Sequence, residues 1–274
     1  MISDYKTAVN NIRSILKQYI LDSKLQSLVV GLSGGIDSAL TAALAKPVCD
    51  ELNIPIYGRS ITIETNKPDE IVRAKAIGEN FVSDFKEVDL TEGFKVLAGL
   101  ITESGDEDTQ STASKIRRGN IKARTRMVYL YDLAARYRGM VLSTDNYTEL
   151  LLGFWTLHGD VGDYGMIQNL WKTEVYEMAR YIVKNLEDIN AKNALQACID
   201  AVATDGLGIT NSDLEQIQAK SYEEVDQILL KMIYNTEDFE KYKNHPVIQR
   251  KLSSEYKRNN PYNIPRELIT DVPY

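Results

Sequence analysis

The 274 residues contain only two cysteines, Cys49 and Cys198, each without a neighbouring thiol. That excludes a disulfide framework and a cysteine-based zinc cluster from this chain alone, and both thiols are expected to be buried fillers. Basic charge is also scarce: 32 Lys and Arg stand against 39 Asp and Glu, a formal net charge of -7 and a sequence pI near 5.1. Non-specific nucleic-acid affinity rests on clustered cations that neutralise phosphates, so small-molecule chemistry is expected in its place. No run reaches the roughly 18 apolar residues that a membrane-crossing helix needs. The opening MISDYKTAVNNIRSIL mixes acids and bases and lacks the basic start, apolar centre and small-residue cleavage site of a signal peptide, which points to a cytoplasmic protein. Histidine occurs twice, as His158 and His245, with no evident partner, and structural roles are expected for both. There is no internal repeat and no low-complexity tract.

What is present is an apolar content of 43%, enough for a substantial core in one or two domains. Tyr5, Val9, Ile12, Leu16, Tyr19 and Ile20 recur at helical spacing and predict an opening helix. Short β-rich runs then alternate with helices. Strands are predicted at 28–32, at 54–63 with an interruption at Gly58, at 85–90 and at 140–142. Helices are predicted at 38–45, 68–81 with Pro68 in the first turn, 120–138 with Asn120 as N-cap and Gly139 as stop, 148–154 and 173–186. No prediction covers 91–102, and the polar stretch 103–112 reads as a mobile loop. Strands separated by helices imply a doubly wound α/β fold, a parallel sheet with helices on both faces. The C-terminal third is expected to be helical, with capping-box spacing at Ser212/Glu215 and Ser221/Glu224.

Residues 33–38, SGGIDS, sit where the first strand turns into a helix. Such a turn aims backbone N–H groups and a helix N-terminus at an anion, and its glycines let a phosphate approach the backbone. The plainer alternative is a tight turn in which Asp37 or Ser38 only caps the helix. GxxxxGK[ST] and GxGxxG are both absent. An aspartate beside a phosphate is repulsive unless a divalent cation lies between them, so Asp37 implies magnesium. A second ligand is then expected from another strand end. The strand 140–142 runs into Ser143-Thr144-Asp145-Asn146-Tyr147-Thr148-Glu149, where Thr144 can hydrogen-bond a nucleotide and Glu149 can reach a metal. A first-turn acid favoured by the helix dipole is the alternative for Glu149.

Taken together these segments resemble the NAD synthetases, members of the ATP pyrophosphatase group that carries an SGGxDS loop. The resemblance runs in order from VVGLSGGIDSAL through RGNIKARTRM (118–127), STDNYTELLLGFWTLHGD (143–160), LWKTEVYEMARY (170–181) and ATDGLG (203–208) to SSEYKRNNP (253–261). SGGxDS alone specifies cleavage of ATP to AMP and pyrophosphate; NIKARTRM followed by TDN-x-x-E-x-x-x-GF and KTEVY is more specific. The resemblance implies an adenine nucleotide alpha-hydrolase-like fold in which Gly31, Leu32, Ser33, Gly34, Gly35, Ile36, Asp37 and Ser38 form the ATP loop. Asp37 and Glu149 would hold magnesium, while Thr144, Lys172 and Thr204 would contact ATP. Arg124, Asp163, Tyr256 and Lys257 would contact the deamidated dinucleotide. For the other members of the basic cluster Arg117, Arg118, Lys122 and Arg126 a solvated helix face is expected. The chain departs from the commoner family pattern at Ile36, Asn146, Leu157 and Tyr256, where glutamine, histidine, lysine and histidine are frequent.

The implied reaction amidates nicotinic acid adenine dinucleotide. Its carboxylate attacks the α-phosphorus of ATP to give an acyl-adenylate and pyrophosphate, and ammonia then displaces AMP. Asp37, Lys172 and Asp163 are the expected catalytic residues, with Asp163 holding ammonium in a water-poor pocket. A glutaminase would require an activated nucleophile in an additional domain. The synthetase pattern spans the chain, so a single domain over 1–274, without a glutaminase domain and using free ammonia, is expected. A homodimer is implied by the same resemblance. Two other readings remain open: a related adenylating amidotransferase or thiolase of this loop group, and a nucleotide-binding sensor without turnover.

Overall fold

A computed structural model describes residues 1–64, 66–102, 111–202, 213–234 and 239–270. Asp4 caps the first helix, α1 (Tyr5–Ser23), its carboxylate accepting from the Thr7 amide at 3.1 Å. The chain continues through β1 (Ser27–Gly31), α2 (Ile36–Leu52), β2 (Ile56–Thr62), α3 (Pro68–Phe81), β3 (Asp84–Asp89), α4 (Thr91–Ile101), α5 (Thr112–Arg136) and β4 (Gly139–Val141). Then follow α6 (Tyr147–Leu152), α7 (Lys172–Asn185), α8 (Ile189–Asp200), α9 (Asp213–Gln216), α10 (Tyr222–Ile233), α11 (Pro246–Ser253) and α12 (Glu255–Arg258). Among the described residues no helix is long and apolar enough to cross a membrane.

The strands form one parallel sheet in the order β3-β2-β1-β4. Alternation along β1 divides its side chains between two cores. Leu28 and Val30 join Leu16, Leu40, Ile77, Val175 and Leu195 on the face covered by α1, α2, α3, α7 and α8, whereas Val29 joins Phe94, Met127, Leu130 and Leu133 beneath α4 and α5. Helices on both faces make this the doubly wound arrangement that the sequence predicts. A third cluster, with Leu152, Trp171, Val225, Ile228, Val247 and Ile248, joins α6 to α10 and α11. Both cysteines are buried in the first core, and burial pushes each thiol up to about 12.

Several boundaries differ from the predictions for identifiable reasons. The helix predicted at 38–45 continues through Pro47 to Leu52. Proline cannot donate to the carbonyl of Ala43 four residues back, and Arg13 on α1 supplies the missing donor, its Nη2 lying 3.2 Å from that oxygen. Asn120 is not an N-cap: α5 begins eight residues earlier, where the Ser111 hydroxyl accepts from the Ser114 amide at 3.2 Å. Gly139 does not stop that helix but opens β4, where an added Cβ would lie 2.6 Å from the Ser27 carbonyl oxygen. Gly58 does not interrupt β2; a Cβ there would approach Leu32 and Val82 to 2.9 Å, so the glycine allows close packing. α4 occupies the stretch without a prediction, because Gly93 and Gly99 weaken its helical signal while Phe94 and Ala98 alone supply its buried stripe. Ser221 caps α10 as expected, accepting from the Glu224 amide at 3.3 Å. Ser212 and the stretch 103–110 lie outside the described residues.

Two glycine substitutions should therefore have opposite signs. Gly139→Ala forces β4 away from β1 and is expected to lower stability by about 1–3 kcal/mol. Gly99→Ala in α4, where nothing lies within 4 Å of the added carbon, should raise it by up to about 1 kcal/mol. Urea midpoints at unchanged slope check both.

Candidate active site at the ends of β1 and β4

The chain runs from β1 toward β2 on one side and places β4 on the other, so the crevice beyond the carboxyl ends of β1 and β4 is the topological switch point. A cavity of about 640 Å³ lies there, lined by the turn after β1, the segment after β4 and the first residue of α7. The turn has the conformation its glycines predict. Gly34 has φ +82°, and a Cβ on it would stand 2.2 Å from the Glu70 carbonyl oxygen of α3. Arg73, also on α3, donates from Nε to the Gly34 carbonyl at 2.9 Å. The Ser38 hydroxyl accepts from the Ser33 amide at 3.3 Å, which folds the loop back on itself. No side chain caps α2 at Gly35. The capping alternative for Asp37 and Ser38 is thus overturned, and the helix N-terminus faces the cavity ready for an anion.

The loop has no lysine of its own, and one arrives from α7. Lys172 is only 2% exposed, and its Nζ lies 2.6 Å from Asp37 Oδ2 and 2.8 Å from Glu149 Oε1. Burial by itself lowers a lysine pKa, yet the two carboxylates outweigh it and hold this ammonium well above its ordinary value. Asn146, fully buried, organises the acids: Nδ2 donates to Asp37 Oδ1 at 2.8 Å and Oδ1 accepts from the Glu149 amide at 3.0 Å as the N-cap of α6. Glu149 is therefore both a first-turn acid and a member of this charged group.

These residues fit the expected magnesium. Mg²⁺ usually takes one or two carboxylates and completes its shell with water and substrate phosphates. Asp37 and Glu149 already share one cation through oxygens on the cavity wall. Among the described residues no cluster of three His, Cys, Asp or Glu side chains forms a dedicated cage.

Other expected site residues divide into two groups. Thr144 and Lys257 line the cavity, and Lys257 Nζ donates to the Gly153 carbonyl at 2.8 Å. Arg124, Asp163 and Tyr256 do not line it. Arg124 is exposed and donates from Nη2 to the Leu157 carbonyl at 2.9 Å, and Tyr256 is 64% exposed. Asp163 is exposed as well; its carboxylate accepts from Tyr131 Oη at 2.8 Å and from the Val141 amide at 3.1 Å. The water-poor pocket expected around Asp163 is absent, because the carboxylate faces solvent and ties a surface turn to edge strand β4. Thr204 lies outside the described residues.

Two further acids that face the cavity are Asp145 and Asp160, which pattern reading passed over although both belong to the 143–160 segment. Asp145 is buried and accepts from the Ser143 hydroxyl at 3.0 Å. Asp160 lines the cavity, accepts from the Thr156 amide at 2.7 Å and is exposed. Burial raises both carboxyls above the usual range, and for Asp145 the nearby Asp160 and Glu149 add to the effect. The solvated face expected of the basic cluster also fails at two positions. Lys122 is buried against Glu64 at 3.1 Å, and Arg126 turns into the cavity wall with Nε 3.2 Å from the Ile61 carbonyl. Both side chains meet residues at or just after the end of β2, Glu64 and Ile61, which no local pattern could indicate.

With an uncapped glycine turn, a paired carboxylate set and a buried lysine at one switch point, the comparison with known proteins is specific. A family profile described as NAD synthase matches residues 8–261. The chain belongs to the NAD synthase family. An NH(3)-dependent NAD(+) synthetase of Methanocaldococcus jannaschii is 32% identical over 223 residues, covering 81% of this chain and 79% of that one. Among solved structures, NMN synthetase from Francisella tularensis aligns with a TM-score of 0.76 at 22% identity, over 96% of this chain and 99% of that one. NH3-dependent NAD synthetase from Campylobacter jejuni aligns with a TM-score of 0.71 at 22% identity, over 96% and 100%. At that identity the two structures establish the shared fold.

The raised Asp145 carboxyl makes a testable statement about pH. A carboxyl whose pKa is higher in the folded state contributes stability that is full below the ordinary carboxylate value and is lost as pH rises through the raised one. Asp145→Asn should therefore stabilise the unliganded protein at pH 8, with a gain that shrinks steadily as the pH falls toward 4. Thermal unfolding of both proteins across that range checks the sign.

Proposed function

We propose that this NAD synthase family member forms NAD from nicotinic acid adenine dinucleotide, ATP and free ammonia, releasing AMP and pyrophosphate. The observation that carries the reading is the buried Lys172 held between Asp37 and Glu149 in front of the uncapped SGG turn. The turn's N–H groups and Lys172 attract a polyphosphate, while the two carboxylates beside the lysine call for a divalent cation between them and the phosphates. Magnesium bound by Asp37 and Glu149 would supply further charge neutralisation and orientation of the phosphates. The α2 N-terminus and the loop amides bind the departing pyrophosphate, Lys172 offsets charge developing on it, and Thr144 contacts the nucleotide. Thr204 is proposed as a further ATP contact.

In the second half-reaction ammonium must lose a proton before it attacks the acyl-adenylate. Asp160 and Asp145, placed in the cavity with raised carboxyls, hold ammonium and accept that proton better than ordinary carboxylates would. Neither cysteine supplies a glutaminase nucleophile, because both thiols are buried and only weakly acidic. Lys257 is proposed to contact the dinucleotide. Arg124, Asp163 and Tyr256, which do not line the cavity, are proposed to do so from a neighbouring copy in a homodimer; α4 and α5 expose Val96, Leu97, Leu100, Ile116, Val128 and Tyr131, apolar area suited to such an interface. A cytoplasmic setting, where ATP is regenerated, fits this substrate set.

The direct test incubates the purified chain with ATP, magnesium and the deamidated dinucleotide, together with either ammonium or glutamine. NAD should form with ammonium, with one pyrophosphate per NAD, and not with glutamine. Pyrophosphate release without the dinucleotide would favour another adenylating enzyme, and nucleotide binding without turnover would favour a sensor. The Francisella neighbour is described as an NMN synthetase, so an arm with the deamidated mononucleotide is included; preferential amidation of that compound overturns the dinucleotide assignment. Asp37→Asn should cut pyrophosphate release by about 100-fold or more while the protein still unfolds cooperatively. Asp160→Asn should slow amide formation at fixed ammonium by about 100-fold, with the ATP requirement little changed; equal effects on both substrates would remove its assigned role.

A further inference from the structure

Outside the cavity, one buried acid has hydrogen bonds that lead directly to the charged group. Asp226, on α10, is fully buried and accepts from the N-termini of two helices at once. Its Oδ1 accepts from the Thr148 hydroxyl in the first turn of α6. Its Oδ2 accepts from the Thr173 amide at 3.0 Å and the Thr173 hydroxyl at 2.8 Å in the first turn of α7. The Thr148 hydroxyl in turn accepts from the Lys172 amide at 2.9 Å. Glu149 follows Thr148 and Lys172 precedes Thr173, so a single carboxylate fixes the starts of the two helices that carry the ion pair. Two positive helix ends and three donors are well matched to one buried acid.

We propose that Asp226 is a positioning residue for the amidation site, setting the distance between Lys172 and Glu149 through Thr148 and Thr173 without touching substrate. This rests on the reading of that pair as part of an adenylating centre. Displacement of a charge-stabilising group by a fraction of an ångström lowers turnover more than binding, since the substrate still docks on the loop and cavity walls.

Thr148→Val removes the link between Asp226 and the Lys172 amide and leaves the Thr173 bonds in place. It should lower kcat about 10- to 100-fold with the KM for ATP altered less than about threefold, and Thr148→Ser should restore kcat. Asp226→Asn should produce a similar loss, and the double variant should be no worse than the more impaired single one. Ile228→Ala, a cavity mutation in the same helix that removes no hydrogen bond of this network, should destabilise the protein yet leave kcat per folded molecule within about twofold. A wild-type kcat in Thr148→Val, multiplicative losses in the double variant, or an equal loss in Ile228→Ala would each overturn the proposal. The ¹⁵Nζ resonance of Lys172 gives a readout independent of turnover: it should shift in Thr148→Val and stay in place in Ile228→Ala, and an unshifted signal in Thr148→Val refutes the positioning role. A wild-type protein that makes no NAD refutes the functional reading alone, because the resonance still decides whether Asp226 positions the pair.

Discussion

One buried ammonium, that of Lys172, organises this molecule. Removing a charge from water costs several kcal/mol, and the fold tolerates it only because Asp37 and Glu149 reach the same nitrogen. Each carboxylate comes from a different helix N-terminus, α2 for Asp37 and α6 for Glu149, and the lysine opens a third, α7. Three positive helix ends, two acids and one lysine therefore converge on the end of the sheet. Displacing either acid weakens the compensation of the buried ammonium, so the starts of α2, α6 and α7 are strongly constrained relative to one another. Asn146 and Asp226 supply that constraint by separate hydrogen bonds, one through Asp37 and the other through the helix starts.

The same convergence explains how a phosphate loop can function with an aspartate. In a loop that carries its own lysine, attraction to phosphate is encoded locally. Here the loop contributes glycines and an acid, and the cation is delivered by a segment 135 residues later in the chain. Asp37 and Glu149, paired in this way, are the residues that would hold a divalent ion, which would supply charge neutralisation when polyphosphate arrives. The cavity is correspondingly mixed, with Asp145, Asp160, Glu70 and Glu149 facing Arg73, Arg126, Arg250 and Lys257 across its walls. A site that must accept a polyphosphate, a carboxylate and ammonium in turn needs both signs of charge.

Much of the architecture was legible without coordinates. The helix beginning at Pro68 and ending at Phe81 was predicted to the residue, because proline fixes its first turn. β1 could be read as a run of buried apolar residues, as expected for a central parallel strand. Where the local pattern misled, a distant partner had intervened. Pro47 was tolerated because Arg13 satisfies the freed carbonyl, Lys122 is buried and Arg126 half-buried by contact with the end of β2, and Gly139 is required by the approach of Ser27. Acidic residues were the hardest to assign. Asp160 and Asp163 are three positions apart in a glycine-containing segment and both are exposed, yet one lines the cavity and the other is bound to the edge strand β4.

The sequence alone determined the α/β class and the strand-glycine-helix turn, since periodicity and glycine placement are local properties that survive without a fold; it drew attention to Asp37 and Glu149 by their places after two strands, and to Lys172 through the family resemblance. The tertiary structure decided which charges meet and which are withdrawn from water: that Lys172 lies between two carboxylates, that Asp145 and Asp160 share the cavity, and that Asp226 governs the site from α10. Burial and pairing arise from segments far apart in the chain, and their energies depend on distance and dielectric surroundings that no linear pattern records.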